Sequence, residues 1–175
     1  QELAQLLSSR ADASTNPAAA RDYRAEAADI VLRKLGNQDA AIGMFEEVLK
    51  DDPTHPMALD AIASIHEQRE EWKELAELLT RRVKQSTGTN KVTAHLKLGE
   101  LYEDRLDQFE KASVQYEAAL AVDETSIDAL KGLERVYART GDFANLLLTL
   151  EKQLEVVATP RQKIGLLEHI GAIQE

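Results

Sequence analysis

Cysteine is absent, which excludes disulfides, thiol nucleophiles and zinc sites built on thiolates. Glycine and proline are scarce, at 8 and 4 of 175 residues, and Val and Ile are outnumbered by Ala, Leu, Glu and Lys. That is the composition of helices rather than of turns and strands. No apolar run approaches the ~20 residues needed to span a bilayer, so no membrane insertion is expected. Positive charge is in deficit: 21 Lys and Arg stand against 31 Asp and Glu, for a net charge of −10. Such a field repels a phosphate backbone, which removes nucleic acid as a partner. Missing too are the G-x-S-x-G elbow, the P-loop and any legible Ser/His/Asp or Cys/His arrangement. The sequence therefore reads as that of a non-enzyme with no cofactor.

What is present is periodicity. Residues 39–87 recur 71 positions later. The shift carries Ala41 onto Ala112, Phe45 onto Tyr116, Asp52 onto Asp123, Ile62 onto Leu133, Trp72 onto Phe143 and Leu75 onto Leu146. A period held over this length marks a unit stacked on copies of itself, and stacked units make surfaces rather than reaction centres. Apolar residues recur at three- and four-residue steps throughout, which predicts amphipathic helices and no strands. Asn16-Pro17 and Thr159-Pro160 place a capping side chain before a first-turn proline, and Thr159 with Gln162 fits a capping box. Gly36 and Gly141 mark turns inside helix pairs. The predicted helices are 2–14, 17–34, 38–51, 56–69, 72–86, 90–105, 108–122, 126–139 and 143–157, with a tenth from 160 onward. Short connections make consecutive helices antiparallel neighbours.

The stretch Leu98-Gly99, Tyr102, Ala112, Tyr116 and Ala119 resembles a tetratricopeptide repeat (TPR), whose pattern is W-x2-L-G-x2-Y, A-x3-F, A, P. Gly99, Ala112 and Ala119 are small where two helices approach closely, and Tyr102 and Tyr116 fill the space between pairs. The preceding repeat carries Ala41, Phe45 and Asp52-Pro53 at the matching places, while alternate repeats put Leu75 and Leu146 where the small alanine belongs. The resemblance implies an all-α solenoid of antiparallel helix pairs, a right-handed superhelix, over the whole of 1–175. Residues 1–15 would be the second helix of a truncated repeat, 16–54 a repeat, 55–87 a divergent repeat, 88–125 a repeat, 126–158 a divergent repeat and 159–175 the first helix of a truncated one. The array is thus expected to be a segment of a longer one. Leu3, Leu6, Leu7, Ile164, Leu167 and Ile170 would then be apolar side chains that pack on a further repeat or self-associate.

The resemblance implies a scaffold binding a peptide or protein partner in a concave groove lined by the first helix of each pair. Lys131, Arg135 and Arg139, spaced by four, form one stripe on such a helix, with Glu100, Glu103 and Asp104 at neighbouring places of the preceding repeat and Leu96 as an apolar groove residue. The stripe is either a grip for an acidic ligand or a set of inter-repeat salt bridges. The paired Asn and Lys with which co-chaperone members hold a terminal carboxylate are not matched, since the comparable places carry Asp60, Ser64, Leu96, Glu100, Lys131 and Arg135. The four histidines suggest no metal: His66 takes the place of Tyr137 and reads as a packing residue, and the H-E-x-x-H spacing ends on Glu70. The alternatives to a binding scaffold are a self-assembly module, or a non-catalytic segment of a multidomain enzyme.

Overall fold

A computed structural model describes residues 2–174. Among them are ten α-helices and no strand: α1 (Glu2–Ala13), α2 (Pro17–Leu35), α3 (Gln38–Asp51), α4 (Pro56–Gln68), α5 (Trp72–Gln85), α6 (Gly88–Asp104), α7 (Phe109–Val122), α8 (Ile127–Thr140), α9 (Phe143–Val156) and α10 (Pro160–Gln174). The predicted all-α solenoid architecture is therefore what forms. Helix ends follow the local chemistry. Asn16 accepts from the amides of Ala18 and Ala19 ahead of α2, with Pro17 at the first helical position, where a missing N–H costs nothing. Asp52 and Asp123, 71 residues apart, build the same turn: each Oδ1 accepts from an amide at 3.0 Å and a hydroxyl at 2.8 Å, of Thr54 and Thr125 respectively.

The helices group into two compact units, one running to Leu78 and one from Leu79, a boundary inside α5. In the first unit α1 packs on α2, α2 on α3, α3 on α4, and α2 also meets α4. Its core joins Ala25, Ala28, Ala41, Phe45, Val48, Leu49, Ala58, Leu59, Ile62 and Leu78. In the second unit α6, α7, α8, α9 and α10 follow the same scheme, with α6 meeting α8. First helices of successive pairs thus touch within each unit, as stacking requires.

The tightest point of the second unit is the ring of Tyr116. It is 1% exposed and lies between two glycines. A Cβ on Gly99 of α6 would come within 2.7 Å of that ring, and one on Gly132 of α8 within 2.6 Å. Neither fits without moving the ring. The first unit solves the same position differently, with Phe45 opposite Ala28 and Ala61 at the corresponding places. At the far end α10 turns Leu166, Ile170 and Ile173 onto the cluster holding Leu146 and Leu150. Ile170 therefore packs inward, whereas Ile164 and Leu167 remain 57% and 55% exposed. On α1, Ala4 and Ala11 are buried, and Leu3 and Leu6 remain 56% and 64% exposed.

The turns inside helix pairs share one backbone device. Gly36 and Asp107, 71 residues apart, have φ of 65° and 50°; Glu70 and Gly141, also 71 apart, have 56° and 73°. Each turn needs the left-handed conformation whichever residue supplies it. A side chain there costs ~1–2 kcal/mol, less for Asp than for Glu because Asp tolerates that region.

Two outcomes follow for urea unfolding. Gly132→Ala should destabilise the chain by ~1–3 kcal/mol, the range for overpacking a close contact. Gly43→Ala, at a helix-interior glycine with nothing within 4 Å of the added methyl, should stabilise by ~0.5–1 kcal/mol. Equal effects would mean that Tyr116 is not wedged. Separately, Glu70→Gly should raise stability by ~0.5–1 kcal/mol, through relief of the left-handed strain.

Candidate functional site

The second unit places the predicted stripe on α8. Lys131, Arg135 and Arg139 lie on successive turns of its exposed face, beside α6. Their environments differ. Arg135 is committed: its Nε and one terminal nitrogen donate to the two carboxylate oxygens of Glu103 at 2.9 and 2.8 Å. The same guanidinium reaches the Tyr116 hydroxyl at 3.3 Å, and that hydroxyl donates to Glu103 Oε2 at 2.7 Å. Glu103 has a side chain only 2% exposed, whereas that of Arg135 is 50% exposed, so the pair has one buried and one wet end. Arg139 lies 3.8 Å from Asp107 and stacks 4.4 Å over the ring of Phe109. Lys131 is exposed and has no ion partner among the described residues.

The remaining predicted residues fall into two groups. Glu100 and Asp104 are exposed on α6. Leu96 is half-buried and packs against the clusters that hold Ala119 and Tyr116, so it is shared between core and face. Gly132 belongs to this site as much as Gly99 does, and only Gly99 is signalled by the sequence pattern. Its signal lies in the internal repeat: Tyr116 replaces Phe45, and a larger side chain needs a smaller neighbour.

Charges at the site respond to these contacts. Burial pushes the Glu103 carboxyl up, but hydrogen bonds from Arg135 and Tyr116 outweigh it and hold the group below the ordinary glutamate value. Burial and the Glu103 carboxylate raise the Tyr116 phenol, which remains protonated. Glu100 is raised, first by burial and then by Asp104, Asp128 and Glu103, with Arg135 opposing. The face of α6 and α8 is therefore electrostatically close to self-compensated.

The histidines serve the scaffold. His55 caps α4 by accepting from the Ala58 amide at 3.4 Å and meets Asp22 at 3.3 Å. His66 is half-buried and contacts Glu71 at 2.7 Å, so it makes a polar bond in addition to packing. His95 meets Gln115 at 3.0 Å, and His169 meets Glu134 at 3.4 Å. Among the described residues no group of three His, Cys, Asp or Glu is placed to hold a metal ion, and no helix is long and apolar enough to cross a membrane.

A buried carboxylate stripped of its cation is costly, while replacement of a whole polar set by apolar groups is often close to neutral. Arg135→Ala should destabilise by ~1–3 kcal/mol. The triple change Glu103→Leu, Tyr116→Phe and Arg135→Ser copies the residues that the first unit carries at these places, Leu32, Phe45 and Ser64. It should unfold at higher urea than Arg135→Ala does; a lower midpoint would overturn this account. Because the folded value of Glu103 lies below its ordinary 4.5, the stabilisation it brings is present above about that pH and is lost as pH falls through the folded value. The triple variant should lack that component of acid sensitivity.

Comparison with known proteins agrees with this geometry. A family model described as tetratricopeptide repeat matches residues 58–91 and 129–164, which begin in α4 and α8, the pairs where Leu75 and Leu146 replace the small alanine. Superkiller protein 3 of Schizosaccharomyces pombe is 30% identical over 125 residues, which cover 67% of this chain and 9% of that protein. The chain thus spans a small part of that relative. Among solved structures, MamA protein matches with a TM-score of 0.59 at 22% identity, covering 87% of this chain and 80% of that one. YrrB, described as a TPR protein with an unusual peptide-binding site, matches with a TM-score of 0.56 at 14% identity, covering 86% and 74%.

Proposed function

We propose that this chain, which belongs to the tetratricopeptide-repeat family, is a non-catalytic scaffold that binds a peptide or protein partner along the face built by the first helices of its pairs. Members of the family are in general protein-interaction scaffolds. The specific reading for this chain rests on one observation: the outer two cations of the α8 row are not consumed by the fold. Lys131 has no ion partner among the described residues, and Arg139 has a long contact to an exposed aspartate. Such surface pairs contribute little to stability, so both side chains can turn to a ligand carboxylate at small cost. Glu100, Asp104 and Leu96 would border that contact. Arg135 is different. It holds Glu103, and its part is to fix the α6–α8 spacing.

The test separates the two roles. Peptides selected from an array by the wild-type chain should lose at least about tenfold in affinity with Lys131→Glu plus Arg139→Glu, a change of ~1.4 kcal/mol, while the melting temperature stays within a few degrees. Their binding should also weaken as salt is added, because exposed ion contacts are screened. Leu148→Asp, on the exposed side of α9, should leave affinity unchanged. Affinity lost only with Leu148→Asp would move the site to the second helices.

Exposed Leu3, Leu6, Ile164 and Leu167 favour a second reading, self-association through the outer helices. Light scattering on the chain with these four changed to Glu decides: a mass that falls to the monomer would establish it.

A further inference from the structure

We propose that the cavity between α2 and α4 of the first unit is a seat for an arginine side chain of a protein partner. The inference rests on the reading of the first-helix face as the docking face, and it names the chemistry of what docks there.

The cavity has a volume of about 600 Å³ and lies against Leu32 of α2 and Ala61, Ser64 and Ile65 of α4. Adding 71 to these positions gives Glu103, Gly132, Arg135 and Val136, so this is the place where the second unit lays its own Arg135. The two units thus treat one position in opposite ways. In the second, a guanidinium from α8 lies across α6. In the first, Ser64 is too short to cross, and the space stays open. A guanidinium is therefore the group whose fit here the protein itself demonstrates.

Charge points the same way. Asp60 lines the cavity where Lys131 stands in the second unit, and Asp29 lines it where Glu100 stands. Arg33, on the lip, is spent on Asp29 at 2.7 Å. The first unit as a whole carries 8 cationic and 16 anionic side chains, a net −8 out of the chain's −10. An arginine can lay its methylenes along Leu32 and Ile65 and present its guanidinium to the polar rim of Ser64, Asp60 and Gln68. A purely apolar anchor would desolvate that rim without pairing it, which is unfavourable.

The probe is a fluorescein-labelled short peptide alternating arginine and alanine, with leucine–alanine and glutamate–alanine peptides of equal length, followed by anisotropy. The arginine peptide should bind the wild-type chain. Ser64→Arg, which fills the cavity from within as Arg135 does, should weaken it by at least about tenfold, and Asp60→Asn should weaken it several-fold. Glu47→Gln supplies the same gain of one positive charge at an exposed site on α3. If it weakens the arginine peptide as much as Ser64→Arg does, the attraction is diffuse and the seat does not exist. Thermal melts check that each variant folds, and Asp60→Asn keeps the test decisive if Ser64→Arg melts early. Tighter binding of the leucine peptide, blocked by Ser64→Arg, would overturn the arginine seat and leave the first-helix face as the docking face. Failure of all three peptides to respond to Ser64→Arg would overturn the seat, whereas the docking face itself falls only on the Lys131/Arg139 result.

Discussion

Each unit depends on how closely two successive first helices approach across one aromatic ring from the helix between them. Two helices can close on a ring only where a Cβ is absent or small, because interiors are packed with little void and overlap is repelled steeply. Tyr116 meets this limit with Gly99 on one side and Gly132 on the other. Phe45 meets it with Ala28 and Ala61, and the difference is consistent with size, since phenylalanine lacks the hydroxyl and leaves room for a methyl. Ala112 and Ala119, fully buried on α7, belong to the same requirement.

The choice of tyrosine then forces further choices. Its buried hydroxyl needs an acceptor, and Glu103 supplies one at 2.7 Å. A carboxylate 2% exposed needs a cation, and Arg135 supplies it with two parallel bonds. The first unit, with Phe45, carries Leu32 and Ser64 at those places and needs none of this. One chain therefore holds an apolar and a polar solution to the same packing problem. The polar one is no simple gain in stability, because desolvation of the carboxylate offsets much of the Coulomb attraction. What it does is fix where a guanidinium lies on the first-helix face, and so close a space that the apolar solution leaves open.

Much of the fold was legible in the sequence because helical periodicity, capping side chains and the 71-residue recurrence are local or repeated signals. Asn16-Pro17 before α2 is an instance in which the expected and observed ends coincide. The left-handed turns at Glu70 and Asp107 were not legible, since neither is glycine; comparison with Gly141 and Gly36 across the repeat exposes them. Spacing by four placed Lys131, Arg135 and Arg139 on one face, but it carries no information about what faces them. Glu103 and Arg135 are 32 residues apart, and their pairing is set by the rotation of α6 against α8. That rotation follows from the Tyr116 wedge, which an i, i+4 pattern cannot express.

Function in such an array lies in the residues that stacking does not use. The aromatic wedge, the small residues around it and the turn aspartates are repeated because every unit must stack. The exposed positions on the first helices are under no such demand, and there the two units diverge most: Asp60 against Lys131, Ser64 against Arg135, Gln68 against Arg139. These three pairs differ in charge in each case, and they occupy successive turns of α4 and α8. The same backbone thus presents a face whose own cations partly answer its acids in the second unit, and in the first a face whose acids far outnumber its cations. Long-range attraction scales with that imbalance, so the two faces select partners of different charge before any close contact forms.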